Sequence, residues 1–162
     1  MTTADQAVRQ QLDTLGMPYR IIDIDPAYAD TAEFCARYGY PLEISANCIL
    51  VAAKTGAEKF CACLVQATSR LDVNRTVRRL MGVRKASFAS PEQTIAVTGM
   101  QIGGVTPFAL PAGLPLYIDV PIMELDEVIV GGGGRSTKVL VAPAALAKLP
   151  DATVVDGLGV PA

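Results

Sequence analysis

Hydrophobic positions near the start of the chain recur at helical spacing: Val8, Leu12 and Leu15 follow an i, i+4, i+7 pattern that Gly16 ends. Thr3-Ala4-Asp5-Gln6 has the form of a capping box, so an amphipathic helix of about three turns is predicted there. Tyr19 to Asp25 reads as a strand, Asp30-Thr31-Ala32-Glu33 opens a second helix closed by Gly39, and Pro41 suits the first turn of a short third one. Two apolar, partly β-branched runs, Asn47 to Ala53 and Lys59 to Gln66, are joined by a polar stretch containing Gly56. They predict a hairpin of central strands.

From Asp72 to Met81 the helical period returns, with Val73, Val77, Leu80 and Met81 on one face, Arg75, Arg78 and Arg79 on the other, and Gly82 behind. Ser90-Pro91-Glu92 starts another short helix. Beyond Gly99 the texture turns to β, with strands predicted at Leu114 to Asp119, Glu127 to Val130 and Lys138 to Val141. A last helix from Pro143 to Leu149 and a short strand from Thr153 to Val155 precede a Gly/Pro-containing tail. With 51% hydrophobic residues in 162 the chain can bury a sizeable core, two compact domains would fit tightly, and no linker or repeat interrupts the pattern. A single domain over 1–162 is expected.

Composition narrows the chemistry. The chain has no histidine and no tryptophan, and the lack of histidine excludes an imidazole general base or imidazole metal ligand, and with them Ser-His-Asp and Cys-His hydrolases, the two-histidine zinc helix and the His-Cys-Cys zinc nucleobase deaminases. Chemistry must come from carboxylates, lysine, backbone groups or the substrate. The N-terminus lacks the signature of a signal peptide and the longest apolar run, Cys48 to Ala53, is far too short to span a bilayer. A soluble cytoplasmic protein without a membrane partner is the default expectation. Cys35, Cys48, Cys61 and Cys63 form no Cys-x-x-Cys pair and read as small buried hydrophobes, so no metal site or cofactor is expected.

Two glycine-rich loops stand out. Gly131-Gly132-Gly133-Gly134-Arg135-Ser136 is followed by a strand, which fits neither a dinucleotide fingerprint nor a phosphate loop. It is either a flexible turn or a place where main chain approaches a ligand or another backbone closely. Ile102-Gly103-Gly104-Val105-Thr106-Pro107-Phe108 is either a turn or a rigid wall presenting backbone groups to a small molecule. The net charge is only -2, yet Arg70, Arg75, Arg78, Arg79, Arg84 and Lys85 gather against Asp72 alone. That cluster is either a solvated helix face or a surface for a phosphate-bearing partner. Few aromatics accompany it, so base stacking is not expected.

In order and spacing the chain resembles the YbaK/ProX family of trans-editing domains, which deacylate mischarged tRNA. The resemblance runs from about Thr3 to Leu149. It rests on Asp30-Thr31-Ala32-Glu33, Ile44-Ser45-Ala46-Asn47-Cys48-Ile49-Leu50-Val51, Ser69-Arg70-Leu71-Asp72-Val73, the Gly103 to Phe108 loop, Leu116-Tyr117-Ile118-Asp119, and the glycine run through Ser136 and Lys138. It implies an α/β fold with a mixed, partly barrel-like sheet surrounded by helices. It also implies hydrolysis of a small aminoacyl ester on tRNA, with the backbone of Gly103, Gly104 and Pro107 orienting the ester. The substrate site it implies comprises Thr31, Ala46, Asn47, Gly103, Gly104, Val105, Thr106, Pro107, Phe108, Asp119, Gly132, Gly133, Gly134, Arg135 and Ser136. Arg70, Arg75, Arg78 and Arg79 would meet tRNA phosphates, an aminoacyl-tRNA synthetase would be a further partner, and DNA would not be one. A bulkier residue at Gly104 is expected to block the pocket without unfolding the chain. One departure matters: where the family has a lysine before the strand near Cys48, this chain has Ala46 followed by Asn47. Three alternatives follow: a cation from Lys54, Lys59 or Arg135, a different ligand, or binding without catalysis.

Overall fold

The computed structural model describes residues 3–162. Helix α1 (Thr3–Leu15) buries Val8 and Leu12 and stops at Gly16, whose positive φ of 69° suits a residue without a side chain. Thr3 lies within the helix rather than capping it, and Asp5 is buried. The next segment is β1 (Tyr19–Asp23), then α2 (Thr31–Tyr38), which Gly39 ends in the left-handed conformation. Pro41 precedes a single 3-10 turn, Leu42–Ile44.

The predicted hairpin forms from β2 (Ala46–Ala53) and β3 (Phe60–Gln66), in register from Ala46 opposite Gln66 to Ala52 opposite Phe60. It is the centre of a five-stranded mixed sheet. β5 (Ala86–Phe88) pairs antiparallel on the outer edge of β2, while β6 (Leu116–Asp119) and then β9 (Ala152–Val155) add parallel beyond β3. A second, antiparallel sheet has β8 (Thr137–Val141) between β1 and β7 (Val128–Gly131). The two sheets meet at a parallel bridge between Ser45 and Ile129, which gives a partly wrapped arrangement rather than a closed barrel.

Alternation along β2 and β3 divides the interior. Leu50, Ala62 and Leu64 face a main core shared with Val8, Leu12, Phe108, Val139 and Val141. Val51, Cys61, Cys63 and Val65 face a second core under Val73, Val77, Met81 and Leu158. Phe34, Ile24, Ile129 and Leu140 form a third beneath α2.

The basic helix departs from expectation. Its first part, Val73–Val77, is wound as a π-turn before α3 (Arg78–Met81), with the Val77 amide donating to the Asp72 carbonyl. The Thr76 hydroxyl bonds both the Asp72 carboxylate and the Gly157 carbonyl, which anchors the wider turn to the tail. That tail is itself a strand, β10 (Gly159–Pro161), paired with β4 (Ser69–Leu71). Strands this short have no alternation to read and exist because a partner completes their hydrogen bonds. Ser90 forms a full capping box with Gln93 on α4 (Pro91–Thr98). α5 (Val120–Met123) and α6 (Pro143–Ala147) cover the far end of the five-stranded sheet.

Candidate functional site

The N-terminus of α2, the start of β2, the Gly103 loop and the β7–β8 pair enclose a cleft of ≈ 270 Å³. Thr31, Ala46, Asn47, Gly103 and Val105, distant in sequence, all line it, joined by Asp30, Phe34, Gly131 and Lys138. The Thr31 hydroxyl donates to the Asn47 side-chain carbonyl at 2.6 Å, tying α2 to β2 across the opening. A cavity of this size lies just below the roughly 300–1,000 Å³ typical of drug-sized ligand sites, so it suits a small group.

Other residues assigned to the substrate site stand elsewhere. Gly104 is buried, and a Cβ there would collide with the main chain of Gly133 and Gly134, not fill the cleft. The Gly133 amide donates to the Gly104 carbonyl at 2.7 Å, and the Gln101 amide donates to the Gly133 carbonyl at 3.0 Å. The Gly134 amide donates to Asp5 on α1 at 3.1 Å, and the Arg135 amide to the Gln101 side chain at 3.1 Å. The amides of Gly133 and Gly134 are therefore committed internally, and these two residues back the Gly103 loop, while Gly132 packs against Thr137. Of the two sequence readings, close approach to another backbone is the geometry found.

Thr106, Pro107 and Phe108 are buried behind the loop, Phe108 in the main core and Pro107 beside Gln11 and Leu110 on another face. Thr106 Oγ1 has no hydrogen-bond partner among the described residues. Ser136 is exposed, and its carbonyl accepts from Ile24. Asp119 is also remote from the cleft: it is buried where β6 ends and accepts hydrogen bonds from the backbone of Gly159, Leu158 and Val120, holding the tail in place. Burial nonetheless raises its pKa above the usual carboxylate value.

The basic side chain that lines the cleft, Lys138, is none of the three cations the sequence offered for it. Lys54 is exposed, and Lys59 donates to the Met81 carbonyl at the end of α3. Arg135 sits at the rim, where its guanidinium donates to the carbonyls of Ile102 (2.7 Å) and Pro26 (2.9 Å) and lies 3.7 Å from Asp30. Lys138, in β8, is only 6% exposed and lines the cleft together with Ala46. Its Nζ donates to the Gly103 carbonyl at 3.3 Å and lies 5.5 Å from the centre of the Phe34 ring. Burial pushes its pKa down to about 8; Asp30 and Cys35 oppose that shift and Arg135 adds to it. A lysine inside an otherwise apolar strand, Thr137-Lys138-Val139-Leu140-Val141, is the signal that identifies it in the sequence.

A second concavity of ≈ 600 Å³ lies over the second core, lined by Arg70, Asn74, Arg75, Ser87 and Phe88 among others. Arg79 is exposed beside it, while Arg78 is half-buried, its side chain donating to the Asn74 carbonyl at 3.0 Å. Phe88, 57% exposed, is an aromatic that the linear charge pattern did not associate with the arginines. β5 and the adjoining Ala89 separate this groove from the cleft. No described helix is long and apolar enough to cross a membrane.

Comparison with known proteins agrees with this geometry. The Bacillus subtilis (strain 168) protein YwhH, itself uncharacterized, is 32% identical over 75 residues, 46% of this chain and 47% of that protein. The matched stretch thus spans about half the length of that relative. The crystal structure of a candidate trans-editing enzyme for prolyl tRNA synthetase superposes with a TM-score of 0.81 at 25% identity, covering 96% of this chain and 97% of that one. The hypothetical protein APE2540 has the same fold, with a TM-score of 0.84 at 23% identity over 95% of this chain and 99% of its own. The model of the aminoacyl-tRNA editing domain matches residues 25–149, from the turn before α2 to just past α6, and the chain belongs to that family.

Proposed function

We propose that the protein hydrolyses the ester of a small mischarged amino acid on tRNA, acting in trans. The observation that carries this reading is the convergence of Thr31, Ala46, Asn47, Gly103 and Val105 on one cleft small enough to select a short side chain. The reaction needs no imidazole. The oxygen of a water adds to the ester carbon, the acyl–oxygen bond breaks, and the proton released by water passes to the ribose oxygen. The products are a free amino acid and an uncharged 3′ end. Rate comes from holding the ester against fixed dipoles, which contribute orientation and charge stabilisation without a titrating base. The groove carrying Arg70 and Arg75 supplies a surface for phosphates of the same tRNA.

The test is a panel of mischarged tRNAs at low salt and high protein concentration. At least one small aminoacyl ester should disappear at least tenfold faster with protein than without; no acceleration anywhere in the panel would sink the catalytic reading. Ala46 favours a second reading, a non-catalytic module that holds tRNA or a small ligand. That reading gains if Ala46→Lys creates deacylation that the native protein lacks.

A further inference from the structure

We propose that Lys138 is the catalytic cation of this cleft, reaching it from β8 and occupying the role that a lysine at position 46 would have from β2. This inference rests on the deacylase reading above. Ala46 and Lys138 line the same ≈ 270 Å³ cavity, and among the described residues lining it Lys138 is the one basic side chain. Arg135, the nearest alternative, has its guanidinium engaged by the carbonyls of Ile102 and Pro26 and by Asp30.

The placement of Lys138 is costly for folding and so calls for a use. It lies mid-strand between β1 and β7, opposite Ile22 on one side and Gly131 on the other, in a segment where every residue is buried. No described carboxylate forms an ion pair with it. Its neighbours Thr137 and Val139 point to the opposite face, so an apolar side chain at 138 would pack beside Phe34 and Leu140 without cost. What the ammonium does gain is a fixed position on the wall that orients the ester. An ammonium carries three N–H donors; the Gly103 carbonyl takes one, leaving donors for an oxygen of the substrate. As water adds to the ester carbon, the carbonyl oxygen becomes negative, and a cation already fixed on the cleft wall stabilises that charge far more than the neutral ester.

Four proteins decide the matter, assayed on the ester the native protein hydrolyses fastest: native, Lys138→Met, Lys138→Gln, and Ala46→Lys combined with Lys138→Met. The uncharged variants should lose at least a hundredfold in kcat with KM changed less than about threefold, because the interaction forms in the transition state. The double variant should regain at least a tenth of native kcat, which a merely structural role for Lys138 would not allow. Thermal melting selects whichever uncharged variant folds as the native does. Native activity together with an uncharged variant within threefold of native kcat overturns the proposal alone, as does a change confined to KM or a double variant that recovers nothing. A native protein inert on every ester overturns the deacylase reading and this proposal together.

Discussion

Lys138 carries a charge in a strand whose other residues are buried Thr, Val and Leu, and the energetic consequence is measurable without any substrate. Burial holds its folded pKa at about 8, below the 10.5 of a solvated lysine, so below pH 8 the folded state bears the full cost of a desolvated ammonium. Between pH 8 and 10.5 the unfolded chain binds the proton and the folded one does not, so this residue makes stability rise with pH across that window. Lys138→Met removes the charge while keeping an unbranched side chain of similar length. It should be more stable than the native protein by about 1–4 kcal/mol at pH 7 in urea unfolding, a gap that closes as pH approaches 10.5. The groups acting on this titration are Asp30, Cys35 and Arg135, all unchanged in the variant. A variant less stable at pH 7 would mean that the contacts to Gly103 and Phe34 outweigh desolvation. In the sequence Lys138 reads only as the start of a strand and the end of the glycine-run motif: nothing in the linear order of residues puts positions 138 and 46 on one cleft.

At the scale of elements, α1 clamps the glycine run between β7 and β8, although it lies outside the segment matched by the editing-domain family. Asp5 accepts from the Gly134 amide and from the Thr137 hydroxyl, and Ala4 packs against Gly133. Asp5→Ala would leave both donors buried without that acceptor, at about 1–3 kcal/mol for each. Urea unfolding should register the sum. Gly104→Ala should destabilise by about 1–3 kcal/mol, since its methyl group meets the Gly133–Gly134 backbone. That replaces the expectation of a blocked pocket in an intact fold: activity and stability should fall together, and activity lost at native stability would contradict the packing described. α1 and the β2–β3 hairpin were legible from their own apolar patterns, and α2 and α4 from their start signals, Asp30-Thr31-Ala32-Glu33 and Ser90-Pro91-Glu92, with Gly16 and Gly39 as stops of α1 and α2. The π-turn at Val73 and the strands β4 and β10 were not, because contacts with each other and with Gly157 create them.

On the whole-molecule scale, a chain of net charge -2 keeps its basic cluster on one side and its small cleft on the other side of β5. If tRNA spans both, the two surfaces should contribute in separable ways. Arg70→Gln and Arg75→Gln should each reduce the slope of log affinity against log salt by about 1, measured by filter binding or anisotropy. Phe88→Ser should weaken binding by roughly tenfold with the slope unchanged, as expected when a ring stacks on a base rather than neutralising a phosphate. An unaltered affinity in all three variants would mean that the tRNA does not use this groove.

By itself the sequence determined what kinds of chemistry are open to this protein. The absence of histidine removes the imidazole mechanisms, the helical and alternating periods specify most of the elements, and six motifs in order indicate an editing domain. These are local or compositional properties, carried by residue type and short spacing. Only the tertiary structure decided which residues share a site. Pairing of β8 between β1 and β7 turns Lys138 toward α2 and the cleft, and packing of main chain on main chain requires glycine at 104 and 131 while keeping the 132–134 run out of the cleft lining. Those outcomes depend on contacts between segments from about 30 to more than 100 residues apart, and hydrophobic burial, being non-directional, marks which face of a segment is buried but not which other segment it meets.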